Sequence, residues 1–560
     1  MRNGRGRGPI TAHLAWWLAA VAALAWLPFV AKPVSPDEGG FLLVAAQWQP
    51  GRSLYGHYWV DRPPMLITVF DLASHVGGAV GLRLIGIVAV VASVLLAAGL
   101  ARVACPRRTH VPAVVAAVFL STPLFGTTMV NGELLAAPVV LAGIVALVRA
   151  ASTSSTTSLT TSLRWAVFAG VAAAAAALVK QNVVDVFVVA AVLVITGLRV
   201  RPRRDALVLG LGVLAGACLA LGLCLVWAEA RGTEPLRLWN AVVTFRGQAA
   251  SVIHNSATSS TSHRMVGLLE AAALSGAPFV LAVLALRVRR PVDRSVDRSV
   301  DRSGPPDLRA PALALLLWEA LAVAGGGSYW LHYLIGLVPG LVLLAVAAAQ
   351  RPPALRRWTV AAVGYAAASA VVATTTAAVM VPLYSTDTAV SAYLRDHSTP
   401  QDTVVVGFGH PNIVYDSGLH SPYPELWSLP VRVRDPRLLH LTHVLDSPRA
   451  PTWVVVDGTS LATWGVDATT AQRVLDARYR PRTSIGDYVI WRRDHVVDRP
   501  TLRSPRTTAA RSAWSRRWPP PFRPALASSS PSRRADGVSP RRGSHAGAHR
   551  APRGDRTRAG

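Results

Sequence analysis

Acidic residues are scarce in this chain, lysine is almost absent, and cysteine is rare. Asp and Glu number 30 against 57 Lys and Arg in 560 residues, and Lys32 and Lys180 are the only lysines. The three cysteines imply no disulfide framework: Cys218 and Cys224 fall inside an apolar run and Cys105 at the end of another. None has metal-ligand spacing with a neighbouring His or Cys. No Walker-type loop, no His-Glu-x-x-His pattern and no Gly-x-Ser-x-Gly elbow occurs, which argues against soluble nucleotide chemistry. The Gly325–Gly327 run lacks the strand-to-helix context of a nucleotide site. Nor does the formal charge of +27 mark a nucleic-acid binder. The arginines cluster between apolar runs and in the C-terminal tail, not on one face of a folded module.

What is present is apolar sequence. Hydrophobic residues make up 51% of the chain, and the mean hydropathy is +0.36. The apolar runs repeatedly reach the roughly 20 residues that span a bilayer core. This predicts a polytopic α-helical membrane protein with about eleven spans, near 14–31, 77–101, 111–130, 134–150, 164–180, 183–198, 205–228, 265–287, 310–326, 330–349 and 358–381. The first span follows Arg2, Arg5 and Arg7, and Leu27-Pro28-Phe29 is a poor cleavage site, so it reads as a retained anchor.

Arginine content orients the spans. Alternate connections carry Arg102-Val-Ala-Cys-Pro-Arg107-Arg108, then Arg199 to Arg204, Arg287 to Arg290, and Arg351 with Arg356 and Arg357. Positive loops stay in the cytoplasm, so one alternation assigns every strongly basic connection to the inside. The chain then divides into a basic cytoplasmic N-terminus at 1–13, a transmembrane region at 14–383 with a first extracytoplasmic loop at 32–76, an extracytoplasmic segment at 384–495, and a basic tail at 496–560. Apolar runs at Thr403–Phe408, Trp453–Gly458 and Tyr488–Trp491 alternate with helical patterns at Val390–Leu394, Leu438–Leu445 and Ala471–Ala477. That alternation predicts a small C-terminal extracytoplasmic α/β domain. The tail, rich in Arg, Pro and Ser, reads as disordered. A threefold Val-Asp-Arg-Ser repeat at 292–303 reads as a flexible cytoplasmic tether.

Four polar constellations collect on the outer side. Asp37-Glu38 follows the first span; a carboxylate there can take a proton from a hydroxyl, while Ser35-Pro36-Asp37-Glu38 also reads as a helix N-terminal cap. Tyr58-Trp59-Val60-Asp61-Arg62-Pro63-Pro64 closes the first loop, and the Arg62 fork suits a phosphate, or anchors at headgroup level. Glu133 lies in a tight turn between spans, where it also suits a helix N-terminus. The fourth pairs Lys180-Gln181 with His332-Tyr333; these suit a phosphate or a sugar hydroxyl, and equally an interfacial role. Asp185, Glu270 and Glu319 fall nominally within spans and stand outside this arrangement.

These residues resemble the polyprenol-dependent GT-C glycosyltransferases of the dolichyl-phosphate-mannose–protein mannosyltransferase type (glycosyltransferase family 39), to which lipid A aminoarabinose transferase is related. The resemblance is carried by the Asp-Glu pair after the first span and the Tyr-x-x-Asp-Arg-Pro-Pro run. It is also carried by an acidic residue after the third span, the Lys-Gln pair, and His332-Tyr333-Leu334 followed by Pro339. It covers about residues 14–381 and implies a GT-C-type membrane region with inverting sugar transfer from a polyprenyl-phosphate donor on the outer face. It also implies roles: Asp37 as general base with Glu38 assisting, and Asp61 with Arg62 at the donor phosphate, where Arg replaces the commoner Lys. Glu133 would shape the acceptor side, and Lys180 and His332 would offset charge on the leaving phosphate, with Tyr333 beside them. The acceptor would be a glycan, lipid or protein hydroxyl, with the lipid bilayer as surroundings and no nucleic acid as partner. It implies no particular cofactor, and dependence on a divalent metal is left open. The competing reading is a polytopic transporter or lipid flippase, which would place its polar residues near the bilayer midplane.

Overall fold

The computed structural model describes residues 8–105, 110–152, 159–200, 202–255, 259–289, 305–352, 354–380 and 382–494. The Val-Asp-Arg-Ser repeat and the Arg-rich tail lie outside the described residues.

Helix α1 (Gly8–Trp26) ends in a 3-10 turn at Leu27–Phe29, where Pro28 cannot continue the amide ladder. Two short helices, α2 (Pro36–Gln47) and α3 (Pro64–His75), fill the first loop, each opened by a proline in its first turn. The helical body follows: α4 (Ala79–Ala104), α5 (Val111–Phe119), α6 (Gly132–Ser152), α7 (Leu159–Val179), α8 (Asp185–Val200) and α9 (Arg203–Ala230). A long connection then carries α10 (Pro235–Trp239), a π turn at Asn240–Thr244 and α11 (Phe245–Asn255). Beyond it come α12 (Ser259–Leu274), α13 (Ala277–Arg289), α14 (Arg309–Gly325), a 3-10 segment (Leu331–Leu337), α15 (Val338–Ala349) and α16 (Arg356–Val379).

Among the described residues, six helices are long and apolar enough to cross a membrane, and Thr261–Leu274 with Ala277–Arg289, bent by 60°, makes a possible seventh. The chain is a multi-pass membrane protein. The regions near 14–31, 111–130, 183–198 and 310–326, read as full spans, hold shorter apolar helices: His13–Phe29, α5, α8 and α14. Helix α5 stops because Thr122 before Pro123 adopts an extended conformation and a 3-10 turn follows.

From Ser385 the chain alternates short helices with strands. These are α17 (Ser385–His397), β1 (Val404–Gly407), α18 (Pro411–Ser417), α19 (Ser428–Arg434), α20 (Leu439–Asp446), β2 (Trp453–Asp457), α21 (Thr469–Arg478), β3 (Tyr479–Ile485) and β4 (Tyr488–Arg493). The sheet order is β1-β2-β4-β3, with β1 parallel to β2 and the other pairs antiparallel. Strands β1, β2 and β4 lie on the three apolar runs read from the sequence. Strand β3 was missed because it is an edge strand whose Arg480, Pro481 and Arg482 are exposed, so it carries no apolar run.

The sheet region and the helical body form one compact unit. The contact runs through the first loop. Trp59 N donates to Pro424 O at 3.1 Å, and Ser421 N donates to the Tyr58 hydroxyl at 3.0 Å. Helix α18 packs on α2.

Candidate active site

The start of α2 sets the site. Ser35 caps the helix: its Oγ accepts from Glu38 N at 3.2 Å, while Glu38 Oε2 accepts from Ser35 N at 2.9 Å. This capping box satisfies two otherwise orphaned amides. It also places Asp37 and Glu38 about 100° apart on the helix surface, so they face different surroundings. Glu38 turns inward. Arg83 of α4 grips it with Nε to Oε1 at 2.5 Å and Nη2 to Oε2 at 2.6 Å, and Val130 N donates to Oε1 at 2.7 Å. The Arg83 fork also donates to Phe29 O at 2.6 Å and Thr128 O at 3.0 Å. Both side chains are fully buried. Glu38, expected beside Asp37 as a catalytic residue, does not line the cavity described below. Its lone pairs are committed to Arg83 and to the turns around it.

Asp37 turns outward. Its Oδ1 accepts from Trp427 Nε1 at 3.0 Å, and it lines a cavity of 1310 Å³ between the helical body and the sheet region. The two glycines that follow it are required by close approach. A Cβ at Gly39 would lie 2.6 Å from Asn412 Cα, and one at Gly40 would lie 2.2 Å from Trp427 Cζ2. The bare α2 backbone therefore seats the indole that holds Asp37.

Asp61, Arg62, Glu133, Lys180, His332 and Tyr333 line the same cavity. Asp61 is a bracket for two guanidinium groups: Arg62 Nη1 meets Oδ1 at 2.8 Å and Arg246 Nη2 meets Oδ2 at 2.6 Å. Burial pushes the Asp61 carboxyl up, but the Arg62 and Arg246 charges outweigh it and hold the group below the usual carboxylate range. Gln181 Nε2 donates to the Asp61 carbonyl at 2.8 Å, which ties the Lys-Gln pair to the end of the first loop. Beside them Lys180 Nζ donates to Glu133 Oε1 and lies 5.0 Å from the Tyr333 ring centre. His332 Nε2 stands 3.9 Å from the same carboxylate oxygen. Glu133 is thus engaged by the Lys180 ammonium with the His332 ring beside it, a more specific arrangement than a bare helix-terminal charge.

Arg246, in α11, went unnoticed in the sequence because nothing local separates it from the arginines around it; only the fold brings it to Asp61. Trp427 sits almost four hundred residues from Asp37 and carried no signal. Asp185 and Glu319, unplaced by the sequence reading, also line the cavity. Glu319 Oε1 further accepts from Gly340 N at 2.9 Å. Glu270 is exposed on α12. Among the described residues no three His, Cys, Asp or Glu side chains converge as metal ligands.

The multi-pass helical body, the first loop with two helices and the appended sheet make up a fold already seen in solved structures. The chain shares it with ArnT from Cupriavidus metallidurans bound to undecaprenyl phosphate: TM-score 0.57 at 14% identity, over 87% of this chain and 99% of that one. The apo state of the same protein matches at TM-score 0.55 and 14% identity, over 85% and 97%. The oligosaccharyltransferase AglB from Archaeoglobus fulgidus, in complex with an inhibitory peptide and a dolichol-phosphate, matches at TM-score 0.45 and 11% identity, over 87% and 75%. No family model matches the chain, and no curated protein matches it by sequence.

Proposed function

We propose that this chain is a membrane glycosyltransferase that moves a sugar from a polyprenyl-phosphate donor to a hydroxyl acceptor on the extracytoplasmic face, with inversion. The observation that carries the reading is a single cavity lined by Asp37, a carboxylate with no ion pair among the described residues, and by the cations Arg62, Arg246 and Lys180. Inverting transfer needs a base beside the acceptor and positive charge beside the departing phosphate. Asp37 takes the proton of the acceptor hydroxyl as its oxygen bonds to the anomeric carbon. The bond from that carbon to the phosphate oxygen breaks on the opposite face, and the electron pair leaves with the polyprenyl phosphate. Arg62 and Arg246, held side by side by Asp61, take the phosphate oxygens; Lys180 adds charge and His332 a hydrogen-bond donor beside them, with Glu133 and Tyr333 fixing Lys180. Binding of undecaprenyl phosphate by the structural neighbour ArnT supports this donor class. The short apolar helices complete an eleven-span body, and the sheet region lies outside with the first loop.

The test supplies proteoliposomes with radiolabelled polyprenyl-phosphate sugars and compares wild type with Asp37→Asn. Transfer is expected to fall by about two to four orders of magnitude; undiminished transfer removes Asp37 as base. The second reading, a transporter or lipid flippase, draws on the Asp185–Glu319 pair within the helices. Passage of lipid or solute across the bilayer without donor consumption would establish it. Labelling of an engineered cysteine near Gly56 from outside intact cells checks the orientation, and protection there inverts it.

A further inference from the structure

Beyond the cations around Asp61 and Glu133, the cavity holds a second basic pair, Arg264 of α12 and Arg432 of α19. Neither has a carboxylate partner among the described residues. Arg264 Nε donates to Ser328 O at 2.9 Å and Nη2 to Thr261 Oγ1 at 3.3 Å; Arg432 Nη2 donates to Val252 O at 3.2 Å. Each fork therefore retains N–H groups with no protein acceptor, and the two charges lie close enough to repel: burial first, and then Arg264, holds the Arg432 guanidinium below its usual range. Indoles flank Arg264, which lies 4.9 Å from the Trp330 ring centre and 5.7 Å from that of Trp464. Like charges brought together in a half-buried cavity, each with spare donors, are an oxyanion receptor. Neighbouring aromatic faces offer a platform for the apolar face of a sugar ring.

The position identifies which substrate would use it. Arg432 belongs to α19, the helix that begins directly after Trp427, whose indole holds Asp37. Arg432 is thus tied through α19 to the indole that holds the base, while the donor cations are bracketed by Asp61 on the first loop and by Glu133 on α6.

We propose that Arg264 and Arg432, with Trp330 and Trp464, form an acceptor subsite for an anionic saccharide, one whose carboxylate or phosphate is gripped by the two guanidinium groups while a separate hydroxyl reaches Asp37. The assignment to the acceptor rests on the glycosyltransferase reading; the anion site does not, so it is tested without donor or turnover.

Full-length protein in phosphatidylcholine nanodiscs is titrated at low salt with glucose 6-phosphate, glucuronate and glucose, following tryptophan fluorescence and, independently, heat of binding. The charged sugars are expected to bind at least tenfold more tightly than glucose. Arg432→Gln and Arg264→Gln are each expected to weaken them about tenfold or more, the loss of a charge-assisted hydrogen bond, while Arg62→Gln, at the donor cations of the same cavity, costs less than either. Arg432→Lys, which keeps the charge but loses the fork, is expected to fall between, and thermal unfolding confirms that each variant is folded. Equal affinity for glucose, wild-type binding by Arg432→Gln, or an equal loss in Arg62→Gln overturns the proposal. In nanodiscs containing phosphatidylglycerol, displacement of the sugar phosphate by the lipid assigns the pair to a headgroup and overturns the saccharide; undiminished sugar binding supports it. Charged-sugar binding that persists in a chain showing no transfer from any polyprenyl-phosphate donor leaves the anion site standing and sinks the acceptor role with the enzyme reading.

Discussion

The wall of the cavity and the packing directly behind it are both built around carboxylates of α2, and they are built on opposite rules. Behind the wall, Glu38 is fully buried and bonded to the Arg83 fork, to Val130 N and to Ser35 N. At the wall, Asp37 is half-buried and receives one hydrogen bond to one oxygen, from Trp427. A saturated carboxylate has no lone pair left for a substrate; a sparsely bonded one beside a cavity does. Two identical functional groups one residue apart thus divide into an anchor and a candidate base, and the helix periodicity alone separates them.

The largest test of this contrast substitutes each in turn. Asp37→Asn keeps the shape of the side chain and a contact to Trp427 but removes the proton acceptor, so transfer should fall by about two to four orders of magnitude with little change in the thermal unfolding temperature. Glu38→Gln should do the reverse in kind. It leaves Arg83 as an uncompensated buried charge, at about 3–5 kcal/mol, and the expected readout is a markedly lowered unfolding temperature or loss of detergent-extracted protein. A Glu38→Gln chain that unfolds like wild type while losing transfer would erase the division between the two residues.

Much of this was legible in the sequence, for a physical reason. The Asp-Glu pair, the Asp-Arg-Pro-Pro run, the lone acid after the third span and the Lys-Gln pair are local, and charge is so sparing in the apolar runs that each stands out. Their sharing of one cavity had to come from the fold. What the sequence could not give are partners set by close approach between distant elements. Gly39 and Gly40 look like poor helix formers until Asn412 and the Trp427 indole are seen against them. Arg246 is one arginine among many until it meets Asp61. Glu38 read as a candidate for chemistry because Arg83 lies 45 residues away, across the first loop, and its pairing has no sequence signature. The eleven spans were read from hydropathy, which does not register turns such as Leu27–Phe29 and Pro123–Phe125 that cut apolar runs into shorter helices; among the described residues six helices, or seven with the bent pair, are long and apolar enough to cross a membrane.

A smaller effect is expected from loosening the wall without touching the carboxylate. Gly40→Ala drives a methyl into the Trp427 ring, and Trp427→Phe removes the indole N–H that orients Asp37. Each should lower the turnover of transfer about tenfold, consistent with loss of one hydrogen bond to a charged group, with the apparent affinity for the polyprenyl-phosphate donor little changed. A rise in donor KM with turnover intact would mean that Trp427 shapes the donor site instead, and the acceptor-side placement of α19 would have to be abandoned.

The smallest effect concerns the sheet region's own hold on α2. Asp387 accepts from Asn412 Nδ2 at 2.8 Å and from the Tyr488 hydroxyl at 2.9 Å, with His410 Nδ1 3.3 Å away. Asn412 in turn donates to Val34 O at 3.4 Å, at the foot of α2. Burial pushes the Asp387 carboxyl up, but the bonds from His410, Asn412 and Tyr488 outweigh it, so its folded pKa lies below the ordinary range. A group depressed in this way contributes stability that is present above the unfolded carboxylate value of about 3.9 and is lost as pH falls from there through the folded value. Acid titration of thermal stability should therefore show a component lost below about pH 4. Asp387→Asn should lack that component and be less stable at neutral pH by about 1–3 kcal/mol, since its partners lose their acceptor. Because Asp387 holds α2 from the sheet side and Arg83 holds it from the helical side, the variant should also slow transfer more than its stability loss alone explains. An unchanged rate in a destabilised Asp387→Asn chain would show that the Arg83–Glu38 pair by itself fixes the orientation of Asp37.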